Sequence, residues 1–248
     1  MTSPDALLEL FVDVAAAVRV AVAGIPIDDL RNRTRRDGQY ALDLVADDVA
    51  CTVLERAGVR IVSEESGVHE RAGSDVTVVL DPVDGSTNCS RRIPYWATSI
   101  CAIDTEGALA GLVINQVTGV CVTALRGGGA FRDGVRVQAS SVARVEDAMV
   151  YLTGAPATFL PWKQFRSLGS AALGLCEVAT GAFDGMLDAD GYHAPWDYLA
   201  GYLACVEAGA TIHDAQGRAL VVDDIDARRQ LIAAGTPELA AELMGGLA

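Results

Sequence analysis

The segment from Val76 to Asn88, VTVVLDPVDGSTN, constrains this chain more than any other stretch. Its first five residues are a continuous apolar and β-branched run, the pattern of a strand buried on both faces. Two carboxylates, Asp81 and Asp84, follow at once, with Pro82 stiffening the backbone between them. Gly85 permits a tight or positive-φ conformation, and Ser86, Thr87 and Asn88 are all capable helix N-caps. A strand, an acidic turn and a helix start therefore place carboxylates beside free backbone N–H groups. The carboxylates suit a hard cation such as Mg²⁺, and the N–H groups suit a phosphate. The bland alternative is a capped Asp-Gly turn. The D-x-[DN]-x-[DN]-G spacing of an EF-hand is absent.

Two other acidic features fall at the ends of predicted elements, where active sites of layered α/β folds gather. In Ile61–Gly67 (IVSEESG), Glu64 and Glu65 sit where a buried-type strand gives way to a loop. Such a like-charge pair is costly unless a cation or solvent relieves it, and exposed loop acids are the plainer reading. In Ala194–Gly201 (APWDYLAG), Pro195 and Asp197 occupy the first turn of an apolar helix. An acid there also serves the helix dipole alone.

Around these features the patterning predicts α/β architecture. Helical spacing runs from Leu7 to Ile25, ended by Pro26, and a second helix is expected over Asp47–Ala57 with Gly58 as its stop. Arg31–Arg36 (RNRTRR) reads as a solvated loop or as a mobile loop that visits an anion. Arg60–Ser63 reads as a strand, and SGVHERAGSD as a polar loop. Strands over Ala97–Asp104, Leu109–Thr118, Val120–Leu125 and Ala130–Val137, separated by Gly-containing turns, form antiparallel hairpins. Beyond Ser140, helices (Ser170–Thr180, Trp196–Ala208, Pro237–Met244) alternate with short strands (Phe183–Leu187, Thr211–His213, Leu231–Ala234), a more parallel-like pattern. We expect one compact unit of two subdomains, residues 1–140 with the metal and phosphate motifs and residues 141–248 with the Trp196-Asp197 motif.

Charge excludes several function classes. The chain has 248 residues with 33 Asp and Glu against 19 Lys and Arg, a net charge of −14. Too few basic residues remain to form a nucleic-acid stripe or a polybasic membrane patch. The N-terminus lacks signal-peptide character, and no stretch approaches the ~20 apolar residues of a membrane span. The six cysteines are scattered without a CxxC pair and read as buried reduced thiols, implying a cytoplasmic setting.

The motifs together resemble the inositol monophosphatase family of Mg²⁺-dependent, typically lithium-sensitive phosphatases. SEESG is similar to the family's G-E-E-S segment, and DPVDGSTN to its D-P-[IVL]-D-G-[TS]-x-N motif. RGGGAF followed by DGVRVQAS is similar to its Gly-rich hairpin. FRSLGSAALGLCEVATGAFDG and PWDYLAGYLACVEAGA are similar to its C-terminal block, and the resemblance runs in order along essentially the whole chain. It implies a layered αβαβα sandwich and hydrolysis of a small phosphate monoester, an inositol phosphate or a related polyol or sugar phosphate, by metal-activated water. Glu64, Asp81, Asp84 and the Val83 carbonyl would hold metal, with Asp197 completing a second site and two or three Mg²⁺ in all. Gly85, Ser86 and Thr87 would bind phosphate. The Ser86 hydroxyl would orient the attacking water, paired with Asp47 or, equally open, Asp48, and Glu65 would stand beside the metal. Asp190 would meet substrate hydroxyls, and Gly169 and Ser170 of GSAALG would lie near the substrate or serve helix packing. The resemblance also implies a homodimer.

Several positions depart from the family pattern. Ser86 replaces the commoner Thr, keeping the hydroxyl with less restraint on χ1. Cys89 stands for an aromatic, and Asp190 for the common Glu. Ala194 and Pro195 stand for His and Cys, which leaves His193 displaced by one residue and expected to face solvent or cap. The stretch from Ala148 to Phe165 is short. Same-fold alternatives are phosphatases of histidinol phosphate, fructose 1,6-bisphosphate or a 3′-phosphonucleotide. A non-catalytic metal- or metabolite-binding protein is the alternative of another class.

Overall fold

A computed structural model of the chain describes residues 3–247. The apolar run before Asp81 lies in an interior strand, third from one edge of an eight-stranded sheet, and its pleat explains why it is apolar throughout. Val78 and Leu80 point to one face and Val79 to the other, and both faces are covered. The same alternation recurs in the neighbouring strand, with Ile100 and Ala102 on one face and Cys101 and Ile103 on the other.

The first sheet comprises β1 (Arg60–Ser63), β2 (Gly67–His69), β3 (Thr77–Asp84), β4 (Ala97–Asp104), β5 (Gly107–Asn115), β6 (Cys121–Leu125), β7 (Gly129–Arg132) and β8 (Val135–Arg136), in the order β2-β1-β3-β4-β5-β6-β7-β8. Only β1 and β3 pair in parallel; the rest is antiparallel, as the hairpin pattern predicts. The second sheet holds β9 (Met149–Thr153), β10 (Gln164–Arg166), β11 (Gly185–Asp188), β12 (Thr211–Asp214) and β13 (Leu231–Ala234), in the order β10-β9-β11-β13-β12. Parallel pairing is confined to β10, β9 and β11.

Three apolar cores bind five layers together, one of them spanning both sides of the central helices. Helices α1 (Pro4–Ala23) and α2 (Ala41–Ala57) cover the outer face of the first sheet through Leu7, Phe11, Val18 and Leu54. Helices α4 (Ala171–Ala179) and α5 (Pro195–Glu207) fill the space between the sheets. Helix α6 (Pro237–Leu243) closes the far face of the second sheet. This is the αβαβα sandwich that the resemblance implied.

The structure corrects several expectations. The acidic turn after Leu80 is part of the strand: β3 runs on to Asp84, and one extra residue between Asp81 and Asp84 bulges against β4. The polar segment after β1 contains β2. Helix α2 begins six residues before Asp47. The expected strand 130–137 is two strands, and β9 and β10 occupy the stretch that carried no assignment. All six cysteines are free, and five are buried. Among the described residues no helix is long and apolar enough to cross a membrane.

Candidate metal and phosphate site

Each acidic feature is delivered by a different element. Glu64 follows β1, and its N–H donates to Leu80 O of β3 at 3.2 Å, which fixes it beside the bulge. Asp81 sits in β3, is 2 % exposed, and accepts the Val83 N–H at 2.9 Å. Asp197 lies in the first turn of α5 and accepts the Ala194 N–H at 2.6 Å. One carboxylate oxygen from each of Glu64, Asp81 and Asp197 lies within 4.8 Å of the other two, the spacing of ligands around a single ion. The donor set is all oxygen, the chemistry of a hard divalent cation.

Asp84 stands beside this trio, held from the far side. Its Oδ2 accepts the Ser170 hydroxyl at 2.6 Å and the Ala172 N–H at 2.7 Å. Ser170 is gripped in turn: the Tyr151 hydroxyl donates to its carbonyl at 2.7 Å and accepts its N–H at 3.0 Å. The GSAALG segment therefore both caps α4 and orients a site acid.

These carboxylates repel one another. Burial, then the charges of Asp197 and Glu65, push the Glu64 carboxyl well above its usual range. Burial and Glu64 do the same for Asp81. Burial, opposed by the Ser170 hydrogen bond, raises Asp84 to about 6, and burial raises Asp197 against the nearby His193 cation. A bound cation reverses this strain, because it favours the ionised forms.

Gly85 makes the turn into α3 (Ser86–Arg91). Its φ is +93°, and a Cβ there would stand 2.9 Å from Gly169 O. Asn88 ties the two motifs together, its Nδ2 donating to Tyr95 O and Leu168 O, each at 2.7 Å. The Ser86 side chain is half-buried, with no protein partner among the described residues. Thr87 is exposed, its hydroxyl turned toward the Tyr40 hydroxyl at 3.4 Å.

Other expected residues fall elsewhere. Asp47 is buried and accepts hydrogen bonds from the Ser63 hydroxyl and the Cys51 thiol; no hydrogen bond joins it to Ser86 among the described residues. Asp48 is exposed. Glu65 accepts from Gln39 and lies 3.5 Å from Arg36, whose guanidinium also donates to Glu64 O at 3.3 Å, so the arginine-rich loop reaches the site's edge. Asp190 is exposed, with its carboxylate packed over Gly154 at the rim of a cavity of about 370 Å³. That cavity is floored by Asp84 and Asp197 and walled by Thr153, Ser167, Ser170 and Tyr192, with His193.

Sequence reasoning missed three residues. Asp43 lies on α2, 3 % exposed; burial holds its carboxyl up at about 7, and its Oδ1 is unpartnered. The i, i+4 spacing from Asp43 to Asp47 was the available signal. Asp188 ends the apolar strand β11, the same signature that singled out Asp81. His193 neither faces solvent nor caps: it is 16 % exposed and paired with Asp188 at 2.8 Å. Burial would depress its pKa, but the Asp188 hydrogen bond and the charges of Asp197, Asp188 and Asp84 raise it to about 9.

Comparison with known proteins follows the same lines. A family model described as the inositol monophosphatase family matches residues 11–247. The chain is 34 % identical over 232 residues to the fructose-1,6-bisphosphatase/inositol-1-monophosphatase of Archaeoglobus fulgidus, covering 88 % of each chain. It is 37 % identical over 172 residues to the Nus factor SuhB of Escherichia coli, covering 63 % of each. In fold it superposes on a hypothetical Pyrococcus horikoshii protein with similarities to inositol-1 monophosphatase, with a TM-score of 0.89 and 24 % identity over 99 % of this chain and all of the other.

Proposed function

Because the chain belongs to the inositol monophosphatase family, we propose that it hydrolyses a small polyol or sugar monophosphate with Mg²⁺. The observation that carries this reading is the convergence of Glu64, Asp81 and Asp197 within 4.8 Å, with the fixed Asp84 alongside. Glu64, Asp81, the Val83 carbonyl, Asp84 and Asp197 would hold two or three Mg²⁺. When bound, Mg²⁺ neutralises the phosphate dianion, acidifies water and stabilises the leaving alkoxide.

The chain's own residues supply position. Gly85 turns the backbone so that the Ser86 and Thr87 N–H groups open toward phosphate at the start of α3. The unpartnered Ser86 hydroxyl orients the attacking water. Asp43, with a free buried oxygen and Glu65 among its charged neighbours, is a better candidate than Asp47 for the remaining site acid. No residue needs to carry the phosphoryl group. The same reading includes a homodimer and a cytoplasmic setting, the latter supported by six free thiols.

Among the described residues no Lys or Arg lines the cavity beside Asp84 and Asp197, which favours a monophosphate over fructose 1,6-bisphosphate. The test is phosphate release from inositol 1-phosphate, fructose 1,6-bisphosphate, histidinol phosphate and 3′-phosphoadenosine 5′-phosphate, with Mg²⁺ and with EDTA. We expect Mg²⁺-dependent turnover, greatest on inositol 1-phosphate. No release from any ester while the protein binds Mg²⁺ would instead identify a non-catalytic binding protein.

A further inference from the structure

Helix α3 has two ends, and the metal and phosphate site uses only the first. At the other end Ser90, Arg91 and the C-cap Arg92 line a separate cavity of about 270 Å³, closed on its far side by Asp28, Leu30 and Arg31. No residue of this wall belongs to the cavity beside Asp84 and Asp197. Its back is firm: Leu30 is buried, and Ser90 is 3 % exposed, its hydroxyl donating to Thr87 O at 2.9 Å.

Three arginines around one small space repel one another, in a chain whose 33 acids outnumber its 19 bases and could pair with them all. Yet among the described residues no ion pair or hydrogen bond engages the side chains of Arg31, Arg91 or Arg92. Asp28, exposed, is the only acid of the wall among those residues, and it pairs with none of the three. Neighbouring arginines of the loop are spent. Arg33 lies 3.6 Å over the Tyr40 ring and donates to Gly38 O at 2.8 Å, and Arg36 reaches Glu64 O and Glu65. Arg92 carries a second mark. Its φ of +61° and ψ of +30° put it in the left-handed conformation that glycine adopts at least cost. Only it and Asp133 do so among the described non-glycine residues. The weak dipole of a six-residue helix does not call for three cations, so a guanidinium kept at a strained position points to a ligand.

We propose that this cavity binds a small phosphate-bearing anion, which bridges Arg31 of the loop to Arg91 and Arg92 of α3. Guanidinium groups match phosphoryl oxygens in charge and in fork geometry. The volume suits inorganic phosphate or a phosphoryl group on a short carbon skeleton. The bridge also ties the arginine-rich loop, whose Arg36 touches the edge of the metal site, to the end of α3. The site needs no metal and does not depend on the phosphatase reading.

The test is isothermal titration calorimetry at about 0.15 M NaCl, where diffuse attraction is screened, first with metal-free protein. Without metal the four carboxylates of the other site repel phosphate, so uptake reports the arginine cavity. We expect one saturable site for inorganic phosphate. Titration with 3-phosphoglycerate separates the two sources of the phosphoryl group: tighter binding assigns an organic ester, equal or weaker binding assigns phosphate itself. Arg31→Gln and Arg91→Gln should each weaken binding about tenfold or more. Arg35→Gln, which alters an exposed arginine of the same loop outside the cavity, should change it less than about twofold. Arg92→Gly should weaken binding by a similar factor to the cavity variants yet raise the melting temperature, because glycine relieves the left-handed backbone; an arginine serving only the fold would lower it. No saturable phosphate binding to the metal-free protein, or an equal loss in Arg35→Gln, overturns the proposal. With Mg²⁺ added, a second phosphate site should appear. Its failure to appear counts against the phosphatase reading and leaves the arginine cavity standing.

Discussion

Replacing Asp43 with Asn is expected to stabilise the metal-free protein at alkaline pH. Asp43 lies on the first turn of α2 and is 3 % exposed. Its Oδ2 accepts the Tyr40 N–H at 2.8 Å, while its buried Oδ1 has no partner. Burial is the main cause of its raised pKa, the Tyr40 bond opposes it, Glu65 adds to it, and the carboxyl stands at about 7 against 3.8 for an ordinary Asp. Between those two values the folded chain holds a proton that the unfolded chain has released. Stability therefore falls as pH rises through this window, by roughly 1.4 kcal/mol per pH unit and about 4 kcal/mol across it. Asn carries no charge and still offers an oxygen to the Tyr40 N–H. Its amide needs a partner on the other side, a loss of about 1–3 kcal/mol if none forms. The net gain at pH 8.5 is then about 1–3 kcal/mol, and it shrinks at pH 5 to within about 1 kcal/mol of zero, because there the wild type has lost only about 1.7 kcal/mol. Urea denaturation in EDTA at the two pH values measures both. If the wild type and Asp43→Asn curves run parallel in pH, Asp43 does not titrate in this window and the argument fails. The proposed site role adds a second arm: the stabilised variant should lose turnover by more than about tenfold.

Three further outcomes follow from the site. Gly85→Ala combines a φ of +93° with a Cβ 2.9 Å from Gly169 O, so it should destabilise the fold by about 2 kcal/mol or more; an unchanged melting temperature contradicts this. Tyr151→Phe removes the hydroxyl that holds Ser170 on both backbone groups. It should cost about 1–3 kcal/mol in urea titration and weaken Mg²⁺ binding, because Asp84 loses its brace. Mg²⁺ at a hundred times its Kd should stabilise the fold by about 2.7 kcal/mol. Asp81→Asn should raise the metal-free melting temperature, since it removes one buried charge from the cluster, while abolishing most of the Mg²⁺-induced rise; a full rise in the variant would remove Asp81 from the ligand set.

Legibility in the sequence followed the range of the interactions. VTVVL and the hairpins around Thr105–Gly107 and Thr118–Gly119 were readable because pleat alternation and turn chemistry are local. Strand β9 was not readable: Tyr151 and Leu152 become strand residues only by pairing with β11 more than thirty residues on. The two-residue β8 and the three-residue β2 and β10 are too short for any period to declare itself. In the site, Glu64, Asp81, Asp84 and Asp197 each end or punctuate a strongly patterned element. Asp43 and His193 were missed for the opposite reason: their environments depend on distant segments, Glu65 for the first and, for the second, the β13 edge that holds its partner Asp188.

Glu64 directly after β1, Asp81 and Asp84 of β3 and Asp197 of α5 are held by the body of the fold, whereas Gly154, Ser167, Gly169, Tyr192 and His193 of the cavity wall come from the connections around β10 and after β11. The proposed metal cluster and the cavity wall are therefore built by separable parts of the chain. Connections tolerate replacement far better than the strands and helices they join. Rewriting those connections would reshape the cavity wall while leaving the carboxylate cluster in place.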